Sequence, residues 1–245
     1  MHESIAIAAG LVLLSFSVAA LAGFGATVIA VTLGAHFLPI EWWVPRVVSL
    51  NIFLMAYLVI RHRGHADFGL LLKRIWPLMG GGMLAGLAVA QFLSGPMLEA
   101  ALGIFVVLMS ARELLSALKV LPRPTRAIPG VVGSALITLA GMIHGIYASG
   151  GPLLVYAVSR SGLTKSKFRS TLAVVWLTLN STLLGAFILQ GRFTAEAAQQ
   201  MLPLLPVVVL ATALGEWGHK RIDEARFKMV VYSILLFAGA ALLAR

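Results

Sequence analysis

The sequence has no cysteine and little charge: Asp, Glu, Lys and Arg make up 11% of its 245 residues. The missing cysteine excludes disulfides and thiol chemistry and leaves the redox compartment open. Soluble domains carry about 25% charge. The shortage, with 60% hydrophobic residues and a mean hydropathy of +0.95, therefore excludes an ordinary soluble globule and defines an integral membrane protein. Acidic residues are scarcest, 9 against 19 basic, and none falls in the two longest apolar runs, 4–37 and 128–158. Nothing in those runs could neutralise a cation. No His/Asp/Glu spacing suited to a metal occurs, and no cofactor is called for. Glu99, Glu113 and Glu216 lie near segment ends instead of pairing within one helix, so the chain does not read as an enzyme. The apolar stretches are continuous, not alternating in ten-residue units, which excludes a barrel and predicts an all-α polytopic membrane protein. In such a chain a net charge of +10 reflects cytoplasmic loops, not nucleic-acid binding. Residues Met1 to Ser4 lack a basic n-region and a cleavage site, so the first apolar run is expected to stay as structure.

Eight hydrophobic segments are present: 4–37, 45–60, 75–93, 97–118, 128–158, 170–190, 199–215 and 229–244. A crossing needs about 20 residues, and six segments fit one crossing each. The runs 4–37 and 128–158 do not, since 34 helical residues would reach about 50 Å against a hydrocarbon core of about 30 Å. Each carries glycines at its centre, Gly23 and Gly25 in the first, Gly150 and Gly151 in the second. If every run crossed once, the basic residues would divide 10 to 9. If each long run breaks at its glycines and returns as a hairpin, 16 of 19 share one face and only Arg46, Arg192 and Arg245 oppose them. The positive-inside rule selects the hairpins and puts both termini outside. Each half is then a broken hairpin plus three helices, and the odd number of crossings inverts the second half. The expected architecture is two inverted repeats, 1–118 and 128–245, joined by a cytoplasmic linker 119–127. Gly80, Gly81, Gly82 and Gly86 form a small-residue face for close helix packing. Gly95-Pro96 reads as an external turn and Trp42-Trp43 as an interfacial belt.

A backbone break at membrane depth survives only where protein packs on it or where it lines a cavity. Pro152 suits a first helical turn, and the preceding Ser149, Gly150 and Gly151 free the amides of that turn. Free amides and the helix dipole together make an anion site. Gly25, Ala26 and Thr27 offer the same in the first half, with the Thr27 hydroxyl as a further donor. The competing reading is that these glycines serve packing alone. His144 is the ionisable residue inside the 31-residue run 128–158. It either binds an anion or relays a proton, or it holds a carbonyl freed by the break. Asn51 and Asn180 follow the two hairpins in apolar helices and must face protein, ligand or water. Tyr147 and Tyr156 are candidates to line a cavity. Arg46 and Arg169 precede the helices bearing the two asparagines; they either attract anions at a vestibule or reach to headgroups.

The stretches Ala22-Gly23-Phe24-Gly25, Gly145-Ile146-Tyr147-Ala148-Ser149-Gly150-Gly151-Pro152-Leu153-Leu154-Val155-Tyr156 and Lys167-Phe168-Arg169-Ser170-Thr171, leading to Asn180, resemble the sulfite exporter TauE/SafE family of membrane transporters over essentially the whole chain. Ala26 and Thr27 stand where that family commonly has glycines. The resemblance implies movement of sulfite or related sulfur-containing anions. The sequence reading is a secondary transporter of a small anion in a cell membrane, the bacterial inner membrane, with the lipid bilayer, the anion and a coupling ion as expected partners. Its rivals are a channel for a small solute and a non-transporting scaffold or accessory subunit.

Overall fold

A computed structural model describes residues 2–22, 25–61, 66–121, 130–158, 162–219 and 224–244. Gly23 and Phe24 of the first motif, most of the 119–127 linker, and the basic loop residues Arg63, Arg123, Arg126, Arg160, Lys220 and Arg221 lie outside the described residues.

Among the described residues every regular element is helical. The first half contains α1 (His2–Ala22), α2 (Ala26–Gly34), α3 (Ile40–Arg61), α4 (Phe68–Leu70), α5 (Trp76–Ala90) and α6 (Gly95–Ala117), with a π-turn Leu71–Ile75 joining α4 to α5. The second half contains α7 (Gly130–Tyr147), α8 (Gly151–Val158), α9 (Lys165–Leu189), α10 (Ala195–Met201), α11 (Leu205–His219) and α12 (Glu224–Leu243), with a 3-10 turn Leu202–Leu204 between α10 and α11. Side-chain caps mark three starts: Asp67 accepts from the Leu70 amide, Thr164 from Lys167 and Thr194 from Ala197. Among the described residues, five stretches are long and apolar enough to cross a membrane: α3, α6, α7, Ser166–Leu189 and Ala195–Gly218. Ile5–Leu21 and Met229–Leu243 are shorter apolar helices. This is a multi-pass membrane architecture.

Several boundaries differ from the sequence expectation, for identifiable reasons. The run 45–60 belongs to a 22-residue helix, so Arg46 lies inside α3, not before it. The helix continues past this charge because the Arg46 guanidinium covers the Trp42 ring, 3.8 Å from its centroid, and donates to the Trp42 carbonyl and to Gln200 Oε1, each at 3.0 Å. Arg169 likewise lies inside α9. Gly95 and Pro96 open α6 behind the N-cap position Ser94 and are not themselves the turn, since proline needs no acceptor in a first turn. The two arms of each broken segment are unequal. α1 and α7 have 21 and 18 residues, whereas α2 and α8 have 9 and 8, so the second arms extend only about 12–14 Å and cannot cross.

Helix pairing follows one pattern twice. α1 packs on α11 as α5 packs on α7, while α6 packs on α12 and α3 on α9. Exchanging the two halves leaves these pairs unchanged. The α5–α7 seam runs parallel: a Cβ on Gly82 would lie 2.1 Å from the Thr138 carbonyl oxygen, and one on Gly86 2.1 Å from that of Met142. α6 and α12 run antiparallel, because Gly103 meets Leu243 and Gly239 while Glu113 lies near Tyr232. α3 is the central helix, with 67% of its most apolar window buried against 22% for α6.

Candidate functional site

The two chain breaks meet. At the first, Gly25 takes φ +99°, a left-handed conformation glycine adopts without strain, and becomes the N-cap of α2. The first bond inside α2 runs from the Ile29 amide to the Gly25 carbonyl. The amides of Ala26, Thr27 and Val28 therefore have no acceptor within the helix. At the second break the left-handed residue is Ala148, φ 55°, and not one of the glycines. Gly150 serves a different need: a Cβ there would fall 2.1 Å from the Ala140 carbonyl oxygen, so a side chain has no room. The Thr27 hydroxyl donates to the Ala148 carbonyl at 2.6 Å, joining the tips across 121 residues of sequence.

A small cavity lies against both tips. α2 and its cap contribute Gly25, Ala26, Thr27 and Val28, and α8 contributes Gly151 and Pro152. His144 comes from α7, Asn51 and Met55 from α3, and Trp176 and Asn180 from α9. Asn180 Nδ2 donates to Asn51 Oδ1 at 2.8 Å, so the two central helices are pinned by their asparagines. Three side chains then present buried polar atoms that have no partner: both His144 ring nitrogens, Asn180 Oδ1 and Trp176 Nε1. The Asn180 amide and the Ala148 backbone stand beside the imidazole but outside hydrogen-bonding geometry. Trp176 lies 5.6 Å from the His144 ring centroid. About 20 Å³ of the space accepts the centre of a water molecule, little more than the 10–15 Å³ that one water requires. This conformation admits a water-sized group and nothing larger.

The structure thus brings Gly25, Thr27, Asn51, His144, Gly151 and Asn180 together. It places the other expected residues elsewhere. The Ser149 hydroxyl donates to the Tyr147 carbonyl at 2.9 Å, and the Tyr147 hydroxyl to the Leu98 carbonyl at 2.8 Å, so both hold the break instead of facing the cavity. Tyr156 lies under the Arg112 guanidinium, 3.7 Å from its ring centroid. Arg46 is spent on Trp42 and Gln200. Arg169 donates to the Ala20 carbonyl at 3.0 Å, near the end of α1, where a cation complements the helix dipole. Two larger spaces, about 290 Å³ beside Trp42 and Gln200 and about 380 Å³ beside Trp76 and Thr178, lie away from both breaks. Neither gathers orphaned polar atoms.

Trp176 and Met55 were not singled out in the sequence, although a signal existed. Trp176 is four residues before Asn180 and Met55 four after Asn51, one turn away on the same helix face. That both flank one cavity, from opposite sequence directions, fits two helices running past each other in opposite senses.

An all-helical membrane protein with interrupted helices and a buried polar site defines the class: a polytopic protein built around a small internal cavity. The family model for "Sulfite exporter TauE/SafE" matches residues 6–242, and the chain belongs to that family. It is similar to a "Probable sulfite/organosulfonate exporter TauE" from Cupriavidus necator, with 28% identity over 166 residues. That alignment covers 66% of this chain and 62% of the relative, so the match spans under two thirds of the relative's length. No solved structure matches.

Proposed function

We propose that this protein is a secondary transporter of a small oxyanion, sulfite or an organosulfonate, working through two inverted repeats in a cell membrane. The observation that carries the reading is the meeting of two helix starts at one small cavity with no acidic residue among its lining. The free amides of α2, the Gly151 amide and Trp176 Nε1 are donors suited to an oxyanion. Hydrogen bonds to a charged group contribute roughly 1.5–3 kcal/mol each, so a few converging bonds give micromolar-to-millimolar capture. Arg169 lies on the same face of α9 as Trp176 and Asn180, seven and eleven residues earlier, and is the cation an anion meets on its path. The cavity is too small for the anion as it stands, so loading requires the tips of α2 and α8 to separate from α3 and α9. That motion is the alternating-access step.

The inverted arrangement is supported by helix direction. Crossing every apolar run once would make α6 and α12 parallel, and they run antiparallel. Single cysteines introduced into this cysteine-free chain test the threading: Ala66→Cys and Gly162→Cys are expected to react from the cytoplasm, Ser94→Cys and Arg192→Cys from outside. Labelling of positions 66 and 162 from opposite faces would end the inverted-repeat reading.

Transport is tested in proteoliposomes by counterflow of labelled sulfite, methanesulfonate and isethionate against a neutral sugar. Saturable exchange of the anions and none of the sugar is expected. Exchange of the sugar with no response to any anion would overturn the assignment.

A further inference from the structure

We propose that His144 carries a proton that moves with the anion, one proton for each anion, which deepens the transporter reading and rests on it. The argument begins at the Asn180 amide. Its Nδ2 is committed to Asn51 Oδ1 at 2.8 Å, which fixes the amide's rotation and leaves its Oδ1 buried without a donor. The fully buried His144 ring stands beside it and beside the Ala148 backbone, with neither ring nitrogen in a formed hydrogen bond. A neutral imidazole has one N–H and one lone pair. If the N–H turns to Asn180 Oδ1, the lone pair confronts the cavity and repels an anion. If the N–H turns to the anion, the lone pair confronts the Asn180 oxygen. An imidazolium donates from both nitrogens, so one N–H satisfies Asn180 Oδ1 while the other meets the anion.

The reverse holds when the cavity is empty. A buried cation with no counter-charge costs far more than an unpartnered neutral group, so the ring sheds its proton when the anion leaves. Proton and anion stabilise one another and travel as a pair of zero net charge when the anion is monovalent. The ring takes a proton on loading and returns it on release, and no bond within the anion changes. Trp176 adds an aromatic neighbour at 5.6 Å, within the range at which a ring face stabilises a cation.

Among the described residues, no other charge around the ring can take this role. α2 and α5 contain no ionisable residue, and α8 contains only Tyr156, beneath Arg112. On α3, Arg46 is bonded to Trp42 and Gln200, Tyr57 to Glu216, and Glu41 and Arg61 stand at the two ends of the helix. On α9, Arg169 is held by the Ala20 carbonyl, and Lys165 and Lys167 lie at the helix start. On α6, Arg112 pairs with Glu113, and Glu99 lies in the first turns.

The test uses purified protein in liposomes containing a pH-sensitive dye, with methanesulfonate and isethionate as probes because both stay ionised at neutral pH. Wild-type protein is expected to acidify or alkalinise the lumen in step with net anion flux, in a ratio near one, and an imposed pH gradient should drive anion accumulation. His144→Gln keeps an NH2 donor group and a carbonyl acceptor but cannot titrate. It is expected to slow anion counterflow roughly tenfold, the loss of about one charge-assisted bond, and to abolish the proton movement that accompanies net anion flux. Net anion flux by wild type without proton movement would overturn the inference and leave the transporter reading intact, as would proton coupling retained in His144→Gln. Absence of counterflow in wild type would overturn both. If His144→Gln fails to insert, the wild-type proton-to-anion ratio decides alone.

Discussion

Gly151→Leu is expected to abolish anion flux, by at least about a hundredfold (about 2.7 kcal/mol), while the protein still inserts at normal abundance. A Cβ on Gly151 would lie 3.7 Å from the Trp176 ring, an ordinary contact, so the backbone tolerates a side chain. The outer atoms of leucine, however, enter a cavity with about 20 Å³ of usable space and occupy the position between the α8 start and Trp176. Gly151→Ala therefore serves as a milder variant of the same site. One residue earlier the expectation reverses. A Cβ on Gly150 would lie 2.1 Å from the Ala140 carbonyl oxygen and 2.9 Å from its carbon, so even Gly150→Ala must separate the break from α7. Its cost is about 3 kcal/mol, at the upper end for overpacking, and it appears as lost abundance and a lower melting temperature. Flux and thermal stability measured on both variants separate the roles. Wild-type flux from Gly151→Leu at equal abundance would remove the second break from the site.

The largest expected stability loss lies in the α5–α7 seam. Gly82 and Gly86 on one helix and Gly141 and Gly145 on the other are each spaced by four residues, one helical turn. Each added Cβ would sit 2.1–2.2 Å from a carbonyl oxygen of the opposite helix, those of Thr138, Met142, Met79 and Met83. The backbones touch, as in the close-packed small-residue interfaces of membrane helices. The obstructing atoms are backbone and cannot rotate away. Gly82→Val or Gly141→Val is expected to cost at least about 3 kcal/mol and to prevent accumulation of folded protein. Gly80 and Gly81 are the internal control, since an added Cβ meets nothing within 4 Å at either position. Gly81→Ala should be neutral or stabilising by up to about 1 kcal/mol through helix propensity. Equal losses from Gly81→Ala and Gly82→Val would show that the seam is not the cause.

Arg46 and Gly95 show where the sequence misled, and both for local reasons. A charge at the edge of an apolar run looks like a helix boundary, and Gly-Pro looks like a turn. The first reading fails because Gln200, 154 residues away, accepts from the guanidinium. The second fails because proline at a helix start costs nothing. Ser149 and Tyr147 were candidates for the site because their hydroxyls fall beside the break; the nearby carbonyls of Tyr147 and Leu98 claim them first. Trp176 was overlooked because an indole in an apolar helix is ordinary until its N–H is seen buried without an acceptor.

The sequence by itself determined the helical membrane class, the two glycine-centred breaks, and the residues Gly25, Thr27, Asn51, His144, Gly151 and Asn180 that end at one cavity. Low charge, run length and isolated polar residues are local properties, and lipid makes each of them costly to misplace. Only the tertiary structure decided that the breaks touch through Thr27 and Ala148, that Asn51 pairs with Asn180, and that α5 fits against α7 backbone to backbone. These contacts join residues 121, 129 and about 60 positions apart. Such partners are set by which helix faces lie side by side after packing, and the spacing of residues along one helix carries no record of its neighbour.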